Sequence, residues 1–252
     1  MELNLRNKRV LITGGSKGIG FGIAEAFIKE GAKTAVIARG EDGLKQAAAE
    51  LPGLQTIQAD VSNEDEREQS FQQALNMLGG IDILVNNAGG SAGSTHLATT
   101  VDTFRGAMEL NYFSALHYSQ LACKGMKKNG SGVILNISSI FGRESGGKPS
   151  YNSAKAAMIS MTKSLADEVI KDGIRVNGIA PGSILHPTGN WQKRLDENPD
   201  KINRFVEQEI PAGRFGTVQE VADAAVFLCS ERASWIVGAT INVDGGQSRS
   251  NF

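Results

Sequence analysis

The chain has 252 residues, 40% of them hydrophobic and 21% charged, with a formal net charge of −1 and a pI near 6.3. That length and composition suit a soluble fold with a sizeable core. Lys and Arg are spread along the chain, so the basic excess that nucleic acid or an anionic membrane surface demands is absent. Cys123 and Cys229 lie in apolar, helix-like stretches and read as buried, reduced thiols; neither spacing suggests a metal site. The N-terminal MELNLRNKRV has no apolar signal core, and no run of about 18 apolar residues occurs. A cytoplasmic protein, off the membrane, is expected.

In chain order, short apolar runs alternate with helix-like segments. Residues 9–13 are apolar and lead into the glycine-rich LITGGSKGIG, and helical apolar spacing follows over 21–29. TAVIA (34–38) reads as a buried strand, 44–51 as a helix and 54–58 as a third strand. Residues 64–78 predict a helix with acids in its first turn. IDILV (81–85) is a fourth strand, 101–126 a long helix, and GVILNI (132–137) a fifth strand. A helix over 154–170, a strand IRVNGI (174–179), a helix over 217–229 and a last strand over 240–243 complete the pattern.

Strands that are apolar throughout, separated by helices, predict a parallel sheet covered on both faces. Right-handed crossovers then give a doubly wound α/β sheet of about seven strands. No composition shift marks a linker, so 1–252 reads as a single domain. Residues 181–211 break the rhythm with Pro187, Pro199, Trp191 and a mixed-charge, helix-like piece. This irregular insertion, at about 183–212, is expected to form a lid over the carboxyl ends of the strands.

A strand, a glycine loop and a helix in succession are the setting in which backbone N–H groups and a helix N-terminus hold phosphate. A kinase-type P-loop is broken, because Lys17 precedes Gly18 and no Ser or Thr follows to hold magnesium. The common Gly-x-Gly-x-x-Gly fingerprint is absent too; what stands is Thr13-Gly14-Gly15-Ser16-Lys17-Gly18-Ile19-Gly20. At the end of the second strand an acid would bind the ribose 2′-hydroxyl of NAD, whereas an arginine suits the 2′-phosphate of NADP. VIARGED places Arg39 there, and Lys17 adds a second positive charge. NADP(H) is therefore expected in preference to NAD(H).

Four polar elements follow successive strands: Asp60-Val61, Asn86-Asn87-Ala88-Gly89, Ser138-Ser139 and Pro181-Gly182. A bound dinucleotide would lie along that edge. Tyr151 and Lys155 are four apart, and on a helix that spacing puts both on one face. An ordinary tyrosine, with a pKa of about 10, exchanges protons poorly at neutral pH, and a nearby ammonium lowers it toward the working range. A serine hydroxyl can then bond the reacting carbonyl oxygen. Of the histidines, His96 lies in a polar loop, His117 in a helix and His186 in the insertion; none is assigned a role. Trp191 and Phe205 read as anchors of the insertion to the core.

Together with Asn111 and Val243-Asp244-Gly245-Gly246, these motifs resemble the short-chain dehydrogenase/reductase family, in its single-domain Rossmann branch, across almost the whole chain. The likeness leans toward 3-oxoacyl-thioester reductases. It implies hydride transfer between NADP(H) and a carbonyl or secondary alcohol, with no metal. Tyr151 would be the general acid or base, Lys155 would tune it and hold the nicotinamide ribose, and Asn111 would bind a relay water. The resemblance implies cofactor contacts at Gly14, Ser16, Lys17, Gly18, Ile19, Gly20, Arg39, Asp60, Val61, Asn87, Ala88 and Gly89. Further contacts are implied at Ser138, Tyr151, Lys155, Pro181, Gly182 and Ile184.

Two positions depart from the family pattern. Its serine–tyrosine spacing selects Ser138, 13 residues before Tyr151, whereas strand-end register selects Ser139, 12 before. A one-residue deletion is more easily absorbed in a loop than in a strand, where it would turn the side chain to the other face. Ser139 is therefore taken as the catalytic serine, with Ser138 beside the cofactor. His186 stands where the family often has a threonine that touches the cofactor amide. The implied partners are a small carbonyl or alcohol substrate and, through the long helices, further copies in a homotetramer or homodimer. An NAD-linked sugar, polyol or alcohol dehydrogenase is the alternative, and a non-catalytic NADP(H)-binding sensor is the alternative of another class.

Overall fold

The computed structural model describes residues 2–251. Its first half comprises β1 (Arg9–Thr13), α1 (Gly18–Lys29), β2 (Lys33–Ala38), α2 (Glu41–Glu50), β3 (Gln55–Gln58), α3 (Glu64–Leu78), β4 (Ile83–Asn86), α4 (Val101–Met108) and α5 (Ser114–Asn129). β5 (Gly132–Ile137), α6 (Pro149–Val169), β6 (Ile174–Pro181), β7 (Ile184–Leu185), α7 (Asn190–Glu197), α8 (Pro199–Glu209), β8 (Gly216–Thr217), α9 (Val218–Cys229) and β9 (Thr240–Val243) complete it.

The main sheet has seven strands in the order β3-β2-β1-β4-β5-β6-β9, and every pair in it is parallel. The order reverses between β1 and β4, which opens a crevice at the carboxyl ends of those two strands. Apolar side chains on both faces of each strand explain the two covers. Val10 and Ile12 pack with Ile23, Phe27 and Val221 on the α1–α9 side. Leu11, one residue out of phase, packs with Phe71, Tyr118 and Met126 on the opposite side.

Asn86 Nδ2 donates to Asn136 Oδ1 at 2.8 Å and to Ser119 Oγ at 3.0 Å, and Asn136 Nδ2 donates to Thr162 Oγ1 at 2.9 Å. This buried chain ties β4, β5, α5 and α6 into one register beneath the crevice.

The structure corrects three element boundaries. The helix expected over 101–126 is divided by a π-turn, Glu109–Phe113, between α4 and α5. There Asn111 Nδ2 donates to the Ala107 carbonyl at 2.9 Å, so a side chain enters the helical ladder. The helix expected from 154 begins at Pro149, whose missing N–H and fixed φ suit the first turn; this brings Tyr151 into that turn. The stretch expected to be irregular holds β7, α7 and α8, with Pro199 starting α8 and the Asn198 side chain accepting from Lys201 N.

A Cβ built on Gly22 of α1 would lie 2.1 Å from Val218 Cγ1 of α9. Gly22→Ala gains up to about 1 kcal/mol of helix propensity but overpacks this contact, at about 1–3 kcal/mol. A net loss of about 1–2 kcal/mol is expected, read as a lower urea midpoint at unchanged slope.

Candidate active site

The site grows from the end of β1. Thr13 Oγ1 accepts from the N–H groups of Asn87 and Ala88, both at 3.1 Å, and so joins β1 to the chain leaving β4. Asn87 Nδ2 returns two bonds, to Thr13 O at 3.0 Å and Gly14 O at 2.9 Å. The turn needs glycine at two points, Gly14 and Gly18, with φ of +68° and +57°. A Cβ on Gly14 would also lie 2.8 Å from the Ala88 Cα. No side chain caps the start of α1, and its first turn carries no acid. Its N-terminal N–H groups thus face an open cleft beside Lys17, a donor set that fits the phosphates of a dinucleotide.

That cleft encloses about 1820 Å³. Ordinary small-ligand pockets span about 300–1,000 Å³, so there is room for a dinucleotide and a substrate together. Its walls include the glycine turn from Gly14 to Gly20, Arg39, Val61, Asn87, Ala88 and Gly89. Ser138, Ser139, Tyr151, Lys155, Pro181 and Gly182 line it as well.

Arg39 sits on the rim, 68% exposed, with Nη1 3.7 Å from Asp60 Oδ2. Burial alone would raise the Asp60 pKa, but hydrogen bonds from Ser62 and the Arg39 charge outweigh it and hold the carboxyl low. Among the expected cofactor residues Asp60 and Ile184 are not in the wall. Ile184 is a core residue: β7 pairs with β8 and its side chain packs into the α1–α9 cluster. Its side chain therefore faces the core, and only its backbone is left to meet a cofactor.

The Tyr151 phenol lies beside the Ser139 side chain, which offsets part of the effect of burial on it. Ser139 follows β5 in extended conformation, and its Oγ accepts from Phe141 N at 3.2 Å. Ser138 points elsewhere, donating from Oγ to Lys155 O at 3.2 Å. Lys155 is buried; Nζ donates to Ile137 O at 2.8 Å and lies 5.6 Å from the Tyr151 ring centroid. Burial pushes the Tyr151 phenol up and the Lys155 ammonium down to about 7. Both shifts favour the uncharged form, because desolvation dominates.

Asn111 is fully buried behind the cleft. Its Nδ2 donates to Gly90 O at 2.9 Å, and its Oδ1 accepts from Gly90 N at 3.1 Å. A Cβ on Gly89 would lie 2.6 Å from Asn111 Oδ1 and 3.2 Å from Lys155 Nζ. The π-turn, the loop after β4 and α6 therefore converge at one glycine.

A strand-order reversal, an uncapped glycine turn and a Ser–Tyr–Lys set on one edge agree with the family's motifs. Residues 14–248 match the family model described as enoyl-(acyl carrier protein) reductase. The chain belongs to the short-chain dehydrogenase/reductase family. It is 38% identical over 254 residues to the 7alpha-hydroxysteroid dehydrogenase of Escherichia coli strain K12, covering 97% of this chain and 96% of that protein. It is also 38% identical to the 3-oxoacyl-(acyl-carrier-protein) reductase of Chlamydia muridarum, covering 98% of this chain and all 100% of that one. The L-sorbose reductase of Gluconobacter frateurii, solved with NADPH and L-sorbose, superposes with a TM-score of 0.93 at 35% identity, covering 99% of this chain and 100% of that chain. Short-chain dehydrogenases/reductases act on CH–OH and C=O groups, and this chain is an oxidoreductase of that class.

Two features of the site lie outside the sequence reading: Thr13 is the joint of the crevice, and the Asn86–Asn136–Thr162 chain lies beneath it. His186, at a cofactor-contact position of the family pattern, sits against the glycine turn. Trp191 stacks on Phe205 at 4.7 Å and meets Phe215 at 5.3 Å, a cluster that fastens α7 and α8 to each other and to the segment that enters β8.

Thr13→Val deletes the acceptor of two backbone N–H groups while keeping the shape. Each buried donor left unpaired costs about 1–3 kcal/mol. The urea midpoint should fall, and Thr13→Ser should restore most of it.

Proposed function

We propose that the chain is an NADP(H)-linked reductase of small, polar carbonyl compounds, with Tyr151 as its proton donor. The observation that carries this reading is the meeting of Ser139, Tyr151 and buried Lys155 in the wall of one cleft that begins at an uncapped helix. A bound nicotinamide cofactor supplies the hydride. The glycine turn and the α1 N-terminus hold its diphosphate. Arg39 and Lys17 take the 2′-phosphate.

Ser139 orients the carbonyl oxygen. The buried phenol of Tyr151 stays protonated at neutral pH, which is the form that donates. As negative charge develops on the carbonyl oxygen, Tyr151 gives up its hydroxyl proton. The Lys155 ammonium, retained below about pH 7 and lost above it, then stabilises the phenolate. Asn111 Oδ1 faces Lys155 across Gly89; an amide oxygen accepts two hydrogen bonds, so it can hold a relay water beside Gly90 N.

The polar character of the substrate is supported by Ser91, Ser94, Lys148 and Asn190 in the cleft wall, and by the likeness to a reductase solved with L-sorbose. Residues 183–212 serve as the lid. Exposed Phe113, beside α5, and Trp235, 97% exposed near β9, support assembly into a homotetramer. A reducing cytoplasmic setting agrees with two buried thiols, which burial pushes up to about 11 at Cys123 and about 12 at Cys229.

Tyr151→Phe should lower kcat for reduction about 10²–10⁴-fold while keeping NADPH binding by fluorescence titration. Ser139→Ala should follow it, and Ser138→Ala should lose less than about tenfold. A ketose and a 3-oxoacyl thioester belong in the same assay; turnover of the thioester alone would overturn the polar-substrate reading. Arg39→Glu should weaken NADPH at least about tenfold and leave NADH within about threefold. An equal loss for both cofactors would show that Arg39 does not read the 2′-phosphate.

A further inference from the structure

The loop between β6 and α7 lays one imidazole directly on the glycine turn. A Cβ built on Gly18 would stand 2.9 Å from His186 Cε1 and 3.0 Å from His186 Nε2. Gly18 begins α1, whose first N–H groups have no side-chain cap and no acid beside them. An anion seated on those groups therefore has His186 as its neighbour from the lid side.

The ring is held in that attitude. Thr188 Oγ1 lies 3.3 Å from His186 Nδ1, and a Cβ on Gly189 would press to 2.7 Å from Nε2. With Thr188 accepting from Nδ1–H, the Nε2–H of an imidazolium is the donor left for a ligand. Gly18 and Gly189 both lack the side chain that would push the ring away from the turn.

We propose that His186 is a phosphate ligand of the dinucleotide site, its imidazolium closing on the diphosphate from the lid, so that cofactor binding takes up a proton. This rests on the reading of the cleft as a dinucleotide site. In the free protein, burial first and then the Lys17 charge hold the His186 pKa below its usual value, so the ring is neutral at pH 7. Lys17 faces it from the glycine turn; Arg194 of α7, Lys201 of α8 and Glu197 at the end of α7 line the same cleft. A dinucleotide brings two phosphate charges that favour the imidazolium. Its pKa must then rise on binding, and affinity must fall as pH rises through that window. Each unit of rise corresponds to about tenfold in affinity between the acid and alkaline limits.

The test is an NMR titration of protein labelled at histidine Cε1, free and saturated with NADP⁺, with His186→Gln assigning the signal among the three histidines. The His186 midpoint should rise by about one unit or more on saturation, while His96 and His117 stay put. The fluorescence-determined NADP⁺ affinity of His186→Gln should lose the same increment of its pH dependence, leaving that of the cofactor's own 2′-phosphate. A His186 midpoint that stays or falls while NADP⁺ binds would overturn this role and leave the cofactor site standing. No binding of NADP⁺ at any pH would overturn the dinucleotide reading, and this proposal with it. A melting curve of His186→Gln matching the parent guards against a collapsed lid as the cause.

Discussion

The Thr13 hydroxyl accepting two N–H groups from the chain beyond β4 is the bond on which the site depends. A doubly wound sheet must part its connections where strand order reverses, and here that happens between β1 and β4. The parted loops would gape if nothing joined them. Thr13 and Asn87 join them with four hydrogen bonds, each between a side chain and a half-buried backbone group. The glycine turn then has a fixed floor, and the α1 N-terminus points its free donors into the crevice.

A second constraint sets the chemistry. Tyr151 and Lys155 are desolvated together, and the polar groups around them are already satisfied by Ser139, Ile137 and the Gly90–Asn111 pair. Asn86, Asn136 and Thr162 lock β4, β5 and α6 so that these side chains meet with little freedom. Such a site spends folding stability on buried polar groups and gains preorganised donors in return.

Much of this was legible in the sequence, for physical reasons. Strands buried on both faces are apolar throughout, so their number and parallel packing follow from composition runs alone. Strand-end register was also readable: a side chain at the end of β5 cannot slip by one without changing face, and Ser139 faces Tyr151 while Ser138 turns to the Lys155 carbonyl. The π-turn was not legible, because Asn111 enters the helical ladder only when Gly90 is folded against it. Ile184 sits beside Pro181-Gly182 in sequence, yet a two-residue pairing with Gly216 turns it into the core. The family pattern marked position 186, but the contact of His186 with Gly18 was not legible, because it joins segments that only the completed sheet brings together.

The central claim is that this edge transfers hydride from NADPH to a carbonyl carbon. The direct measurement uses NADPH carrying deuterium at the transferable position of the nicotinamide ring, a panel of ketoses and small ketones, and mass spectrometry of the alcohols formed. The account predicts one deuterium on the carbinol carbon of a product. Oxidation of the cofactor with the deuterium lost to solvent, or tight binding with no labelled product from any carbonyl compound, would contradict it.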